Sequence, residues 1–196
     1  MRLIVSRRDV RGNRFTDAPI DDAVFRQILE AAHAAPSVGF SQPWRFVIVK
    51  DPAKREEIYR EFVRENEKAK TIFRDRPLYP ELKLEGIREA YANIAVLCRK
   101  PSGAVLGQTT QARTGEYSVV CAIQNLWLMA RSHGIGIGWV SILRKKKVKK
   151  ILGISDEYKL VAYLSIGYVS DFPEEPELLT LGWERKKSLE GVIEWV

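Results

Sequence analysis

The sequence predicts one domain in which amphipathic helices and short apolar strands share a core. Three observations lead there. At 196 residues, the chain suits a single domain large enough to bury a core without disulfides or a metal. Apolar residues recur at helical spacing in three long segments. Among them lie runs such as Phe46-Val47-Ile48-Val49 and Ile94-Ala95-Val96-Leu97-Cys98, which read as buried strands.

The opening segment Arg7-Arg8-Asp9-Val10-Arg11 places three guanidinium groups within five residues. Such forks suit a phosphate dianion, because each donates two charge-assisted hydrogen bonds. Asp9 has two readings: it neutralises its arginine neighbours, or it acts on the ligand. Asp17 to Asp22 carries the carboxylates of a helix start, and Val24, Phe25, Ile28, Leu29 and Ala32 extend that helix from about Asp21 to Ala34. His33 near its end suits the helix dipole. The next stretch, Ala35 to Phe46, holds Pro36 and Pro43 as backbone braces, while Ser37, Ser41 and Gln42 offer outward polar groups and Phe40 and Trp44 apolar walls. It is either a rigid loop presented to a flat ligand or a plain helix-to-strand connection with Trp44 in the core.

From Pro52 to about Arg76 the pattern is helical but highly charged, with a narrow row of Ile58, Tyr59, Phe62 and Val63. A helix this polar buries little, so it is expected to act as a lid, ended by Pro77 and Pro80. The longest helix, about Thr114 to His133, is apolar on most sides and is either the central core helix or part of a subunit interface. Gly134-Ile135-Gly136-Ile137-Gly138 is not a dinucleotide fingerprint, since a helix precedes it and a strand pattern, Trp139 to Leu143, follows. Gly134 reads as a helix C-cap, Gly136 and Gly138 as points of close approach by a ligand or another backbone. A short basic helix from Leu143 to Leu152 and a strand from Leu160 to Tyr168 follow. From Phe172 onward the chain reads as an extended arm whose apolar end must pack on the body or on a partner.

The formal net charge is +7 and the pI about 9.4, with most of the excess in Arg144 to Lys150. This run reads as a solvated face: a nucleic-acid patch lacks the interleaved aromatics, helix-turn-helix or zinc spacing it would need. Cys98 and Cys121 form no disulfide framework or metal site and read as buried thiols in a reducing compartment. Neither a signal peptide nor a run of membrane-spanning length is visible, so a soluble, cytoplasmic protein is expected, with neither membrane nor nucleic acid as partner.

An arginine cluster for a phosphate, a proline-braced polar loop for a planar ring and a glycine-rich strand end finishing in Ser141 are all features that flavin mononucleotide (FMN) would use. At these residues the sequence resembles the flavin-dependent nitroreductase superfamily, and within it the flavin-destructase branch of 5,6-dimethylbenzimidazole synthases. The likeness is carried by Arg7 to Arg11, Ala35 to Phe40, Gln42-Pro43-Trp44, Leu84 to Ala90, Tyr117 to Trp127 and Gly138 to Ser141, and spans most of the chain to about Val169. It implies an α+β fold with a central mixed β-sheet flanked by helices. It further implies a single FMN-binding domain over residues 1–196 and a homodimer with two flavins at the interface. Residues 172–196 would form an arm on the partner subunit. Asp9 and Ser141 fall where the branch places its acid–base and N5-side groups. Arg7, Arg8, Arg11, Pro36, Ser37, Val38, Gln42, Leu84, Gly138 and Trp139 fall at the flavin-binding positions. The implied activity is oxygen-dependent fragmentation of reduced FMN. The alternative is a nitro-, quinone- or flavin-reductase that keeps FMN bound and draws on NAD(P)H. Tyr91, where the branch has proline, is a departure from the pattern, and the segment from Gly107 to Gly115 diverges as well.

Overall fold

The computed structural model describes residues 1–196. In chain order the elements are helices α1 (Arg2–Ser6) and α2 (Asp22–His33), strand β1 (Trp44–Val49), helix α3 (Pro52–Ile72), strand β2 (Ala92–Arg99), helix α4 (Thr114–Ser132), strand β3 (Ile135–Trp139), helix α5 (Lys145–Ile151), strand β4 (Tyr158–Tyr168) and helix α6 (Glu177–Thr180). Asp21 and Asp51 start α2 and α3 as the sequence suggests, each side chain accepting backbone N–H groups of the first turn.

The sheet order is β1-β2-β4-β3, and every strand pair is antiparallel. The expected mixed character is confined to one parallel bridge, Asp9 to Ile137, where the N-terminal segment runs beside β3. Each face of the sheet is covered. On one, α2 and α4 pack over Ile94, Val96, Ile137, Leu164 and Ile166 through Ile28, Ile123 and Leu126, all essentially inaccessible. On the other, Ile58 and Phe62 of α3 join Val148 and Ile151 of α5 over Ala95, Leu97 and Tyr163. This is why β2 and β4 are apolar on both faces rather than alternating.

Three expectations are corrected. α3 is a packed layer instead of a lid. Its Arg55 donates to the carbonyls of Ile87, Arg88, Ala90 and Tyr91, and its buried Glu61 binds Arg144 and Arg64. The strand expected over Trp139 to Leu143 instead occupies the glycine-rich stretch itself, because the glycines admit a second backbone. A Cβ on Gly138 would overlap the Val10 carbonyl oxygen, and one on Gly136 would press on Val169 and Val10. Cys121 is exposed, while Cys98 is buried. Gly134 does end α4, at φ +72°.

The arm divides in two. Its first half is tied to its own chain. Phe172 lies under Arg131, and Trp183 sits against Phe73 and Tyr79 with the Arg76 guanidinium 3.9 Å from its ring. From Glu184 on the chain is exposed throughout, including Leu189, Val192, Ile193 and Trp195.

Candidate active site

Asp9, Arg11, Trp139, Val140 and Ser141 line one cleft of about 500 Å³, closed on other sides by Leu143, Lys145 and the Leu160 to Tyr163 stretch of β4. The geometry follows from the Gly136 and Gly138 overlay. With Val10 hydrogen-bonded to Ile137 (2.9 Å), the adjoining Asp9 carboxylate reaches the end of β3 and accepts the Trp139 backbone N–H (2.9 Å). Its other oxygen pairs with Arg11 at 2.5 Å. The neutralising reading of Asp9 is met by Arg11, and the same carboxylate lines the cleft. Arg11 is nearly buried, yet 36% of the Asp9 side-chain surface remains open. Removal from water pushes the Asp9 carboxyl above its ordinary value, against the downward pull of Arg11 and the Trp139 N–H. Ser141 is exposed, with its hydroxyl uncommitted within the chain.

The remaining arginines take different roles. Arg8 is spent on carbonyls of Val5, Arg7, Pro173 and Glu174, clamping the start of the arm. The Arg7 guanidinium stacks 4.8 Å over Trp127. Arg7, Arg8, Asp9 and Arg11 share a smaller cleft, of about 150 Å³, with Glu177 of α6, whose charge also raises the Asp9 carboxyl. Leu84 contributes its carbonyl to Arg11 at 3.5 Å. Gly138 touches Val10 rather than open space.

Pro36, Ser37, Val38 and Gln42 lie elsewhere. Ser37 Oγ accepts the Gln42 N–H (3.1 Å), so this hydroxyl braces the loop, and Ser118 of α4 accepts the Val38 N–H (3.0 Å). Gly39, Phe40 and Gln42 all have φ between +43° and +54°. Two non-glycine residues in that region hold strain, a recurrent property of ligand-clamping loops. Phe40 points to solvent at 83% exposure rather than forming a wall. Trp44 does line a cavity, of about 500 Å³, with Gln42, Pro43 and the Arg99 to Val105 loop. Its indole N–H donates to His33 Nδ1 (3.0 Å), a role for His33 that dipole reasoning missed.

The strand register places these two regions apart. Trp44 pairs with Cys98 and Cys98 with Lys159, whereas Trp139 pairs with Leu164. At ordinary sheet spacings this is about 14 Å across the sheet and about 17 Å along it. No residue lines both cavities. Within one chain, therefore, Asp9, Arg11, Trp139 and Ser141 converge, and the proline-braced loop does not join them. Missed by sequence reasoning were Lys145 in the cleft, Glu177 beside the arginines and Ser118 under Val38; only Ser118 was foreshadowed, by its place in the Tyr117 to Trp127 likeness. Tyr91, the departure, lines neither cavity. Its hydroxyl accepts from Lys50 Nζ (2.8 Å), which also lies over its ring.

Residues 4–168 match the model of the nitroreductase family. The chain is 45% identical over 185 residues to a 5,6-dimethylbenzimidazole synthase of Rhodospirillum rubrum, covering 92% of this chain and 87% of that one. Among solved structures it superposes on oxidised iodotyrosine deiodinase bound to FMN and 3-iodo-L-tyrosine (TM-score 0.75, 21% identity, 100% and 97% of the two chains). It likewise superposes on a BluB-like flavoprotein of Clostridium difficile (TM-score 0.73, 21% identity, 100% and 97%). At that identity the two structures speak to the fold alone. The family match over most of the length, together with this fold, places the chain in the nitroreductase family.

Proposed function

We propose that the protein is a flavin-dependent oxidoreductase that converts reduced FMN and oxygen to 5,6-dimethylbenzimidazole, the activity named for its 45%-identical relative. One observation carries the choice over a simple reductase: a carboxylate with a raised proton affinity and a free hydroxyl share one cleft. Hydride transfer through a bound flavin asks for no carboxylate beside the ring, whereas breaking the ring's bonds requires protons to be delivered and removed.

The donor set suits a phosphorylated flavin. The guanidinium groups of Arg7 and Arg11 retain N–H donors for the phosphate, and the cleft volume is in the range of small-molecule sites. Reduced flavin supplies the electrons that activate oxygen and, as substrate, the ring to be cut. Trp139 N–H and Arg11 hold Asp9 in one orientation, so a proton taken or given at its carboxylate meets the ligand from a fixed side. Ser141, exposed and lining the cleft, would donate a hydrogen bond from its Oγ to a ring atom.

The proposal includes a homodimer. The proline-braced loop is too far from the arginine cluster in its own chain, and α4 exposes Tyr117, Val120, Cys121 and Gln124 at i, i+3, i+4 and i+7, a stripe suited to a second copy. Pairing across that stripe would bring Pro36, Ser37, Val38 and Gln42 of one chain to the other's cleft and give the apolar tail a surface. No helix is long and apolar enough to cross a membrane, and residence in the cytoplasm belongs to the same proposal.

The test is to give the purified protein excess reduced FMN under air and separate the products chromatographically. Dimethylbenzimidazole is expected. Intact flavin after many equivalents of oxygen, with steady oxidation of added NAD(P)H, would assign the reductase activity instead.

A further inference from the structure

The flavin reading leaves one strongly charged feature unused. α5 presents Lys145, Lys146, Lys147 and Lys150 to solvent while Val148 and Ile151 turn into the core. Its other cations are neutralised, Arg144 by Glu61 and Glu65 and Lys149 by Asp156 (2.7 Å). The four remaining lysines have no carboxylate partner, although exposed cations on α2 and α3 such as Arg26, Arg60, Lys68 and Lys70 are each paired. The placement works against the helix itself. Lys145, Lys146 and Lys147 fill the first turn, where the dipole favours carboxylates, and Lys146 and Lys150 repel at i, i+4.

The strip is contiguous with the candidate active site. Lys145 lines the Asp9 and Ser141 cleft and also a surface depression of about 580 Å³ framed only by Arg144, Lys145, Lys146, Lys147 and Lys150. Inside the cleft the next cation is Arg11. Positive charge thus runs from open surface, over Lys145, into the cleft.

We infer that this lysine strip is the entry station for the phosphate-bearing flavin, raising its encounter rate with the Asp9 cleft. The inference rests on the FMN reading of that cleft. A consumed flavin must arrive afresh in every turnover, and a one-sign field beside a cleft speeds the arrival of an anion without needing a tight site of its own.

The experiment follows FMN association by stopped-flow fluorescence quenching at low and high salt, using the full chain and its Lys146→Gln, Lys147→Gln, Lys150→Gln variant, which leaves the cleft-lining Lys145 in place. At low salt the variant is expected to associate about tenfold more slowly, with a flattened salt dependence and an unchanged dissociation rate. Riboflavin, the same ring without the phosphate, should bind both proteins at one rate. Neutralising Arg26, Arg60, Lys68 and Arg74 instead should change FMN association by less than about twofold, separating the strip from net charge. Equal FMN association rates, or equal losses for FMN and riboflavin, would overturn the inference. So would a variant that keeps FMN association but loses NADH-dependent reduction of bound flavin, which would assign the strip to a dinucleotide pyrophosphate. If the unaltered chain failed to bind FMN at any salt, the flavin reading itself would fall.

Discussion

Replacing Asp9 with asparagine separates the two things its carboxylate does. The substituted amide keeps its one oxygen for the Trp139 N–H, bonded at 2.9 Å, and so turns its NH₂ group to the Arg11 guanidinium, which the native carboxylate pairs at 2.5 Å. Loss of a charge-assisted bond to a nearly buried arginine costs about 1.5–3 kcal/mol, and relief from burying an ionised carboxylate opposes it. With burial and pairing opposed, the net change at neutral pH is within about 1 kcal/mol in either direction, or about 2–4 °C in melting temperature for a chain of this length. The pH dependence has a definite sign. Burial holds the Asp9 carboxyl above its unfolded value, so its contribution to stability is fully present below that unfolded value and is lost as pH rises through the folded one. The Asp9→Asn variant mimics the neutral acid without titrating, so its stability relative to the unaltered chain should fall on acidification, as the unaltered chain gains what the variant cannot. Urea midpoints of both proteins between about pH 4.5 and about pH 8 read this directly. A relative stability that rises on acidification would mean that pairing with Arg11 outweighs burial. On activity, loss of the proton-transferring group should slow fragmentation about 10²–10⁴-fold while FMN binding persists. Wild-type fragmentation, or loss of FMN binding at an intact melting temperature, would refute the role given to Asp9.

Three further outcomes follow from the same geometry. Asn93 and Ser165 face each other across β2 and β4, fully buried, with Asn93 Nδ2 and Ser165 Oγ unpartnered while Asn93 Oδ1 accepts the Tyr163 hydroxyl (2.8 Å). Ser165→Ala should therefore change stability by less than about 0.5 kcal/mol, and Asn93→Ala should cost about 1–3 kcal/mol by orphaning the tyrosine, as read by urea unfolding. Arg55→Ala strips four carbonyls of their donor and should lower stability by about 2–4 kcal/mol in the same assay. Val120→Glu, on the exposed stripe of α4, should give a monomer by light scattering and at least about a tenfold loss of FMN affinity. A Val120→Glu monomer binding FMN like the parent would refute a site shared between copies.

Much was legible in the sequence because periodicity and end signals act locally. The α2 helix declared itself through Asp21 and its apolar row, α4 through its repeating Val119, Ile123, Leu126 and Ala130, and the arginine segment through its charge density. The β3 strand was misjudged because glycine has poor strand propensity when read alone. Here its missing side chain is what lets Val10 lie against the strand, a contact between residues far apart in the chain. The lid expectation for α3 failed similarly. A low mean hydropathy does not reveal that a few buried groups, Ile58, Phe62 and an ion-paired Glu61, suffice to fix the helix against α5.

By itself the sequence determined the candidate site residues: guanidinium groups, one carboxylate, one hydroxyl and a braced loop, the set proposed to take a phosphorylated flat ligand. Only the tertiary structure decided which of them meet. Strand order and register bring Asp9, Arg11, Trp139 and Ser141 to one cleft and leave Pro36 to Gln42 at the far edge of the sheet. The physical reason is that side-chain chemistry is carried by each residue alone, whereas proximity is set by hydrogen-bonded pairing between segments whose spacing along the chain carries no trace of it.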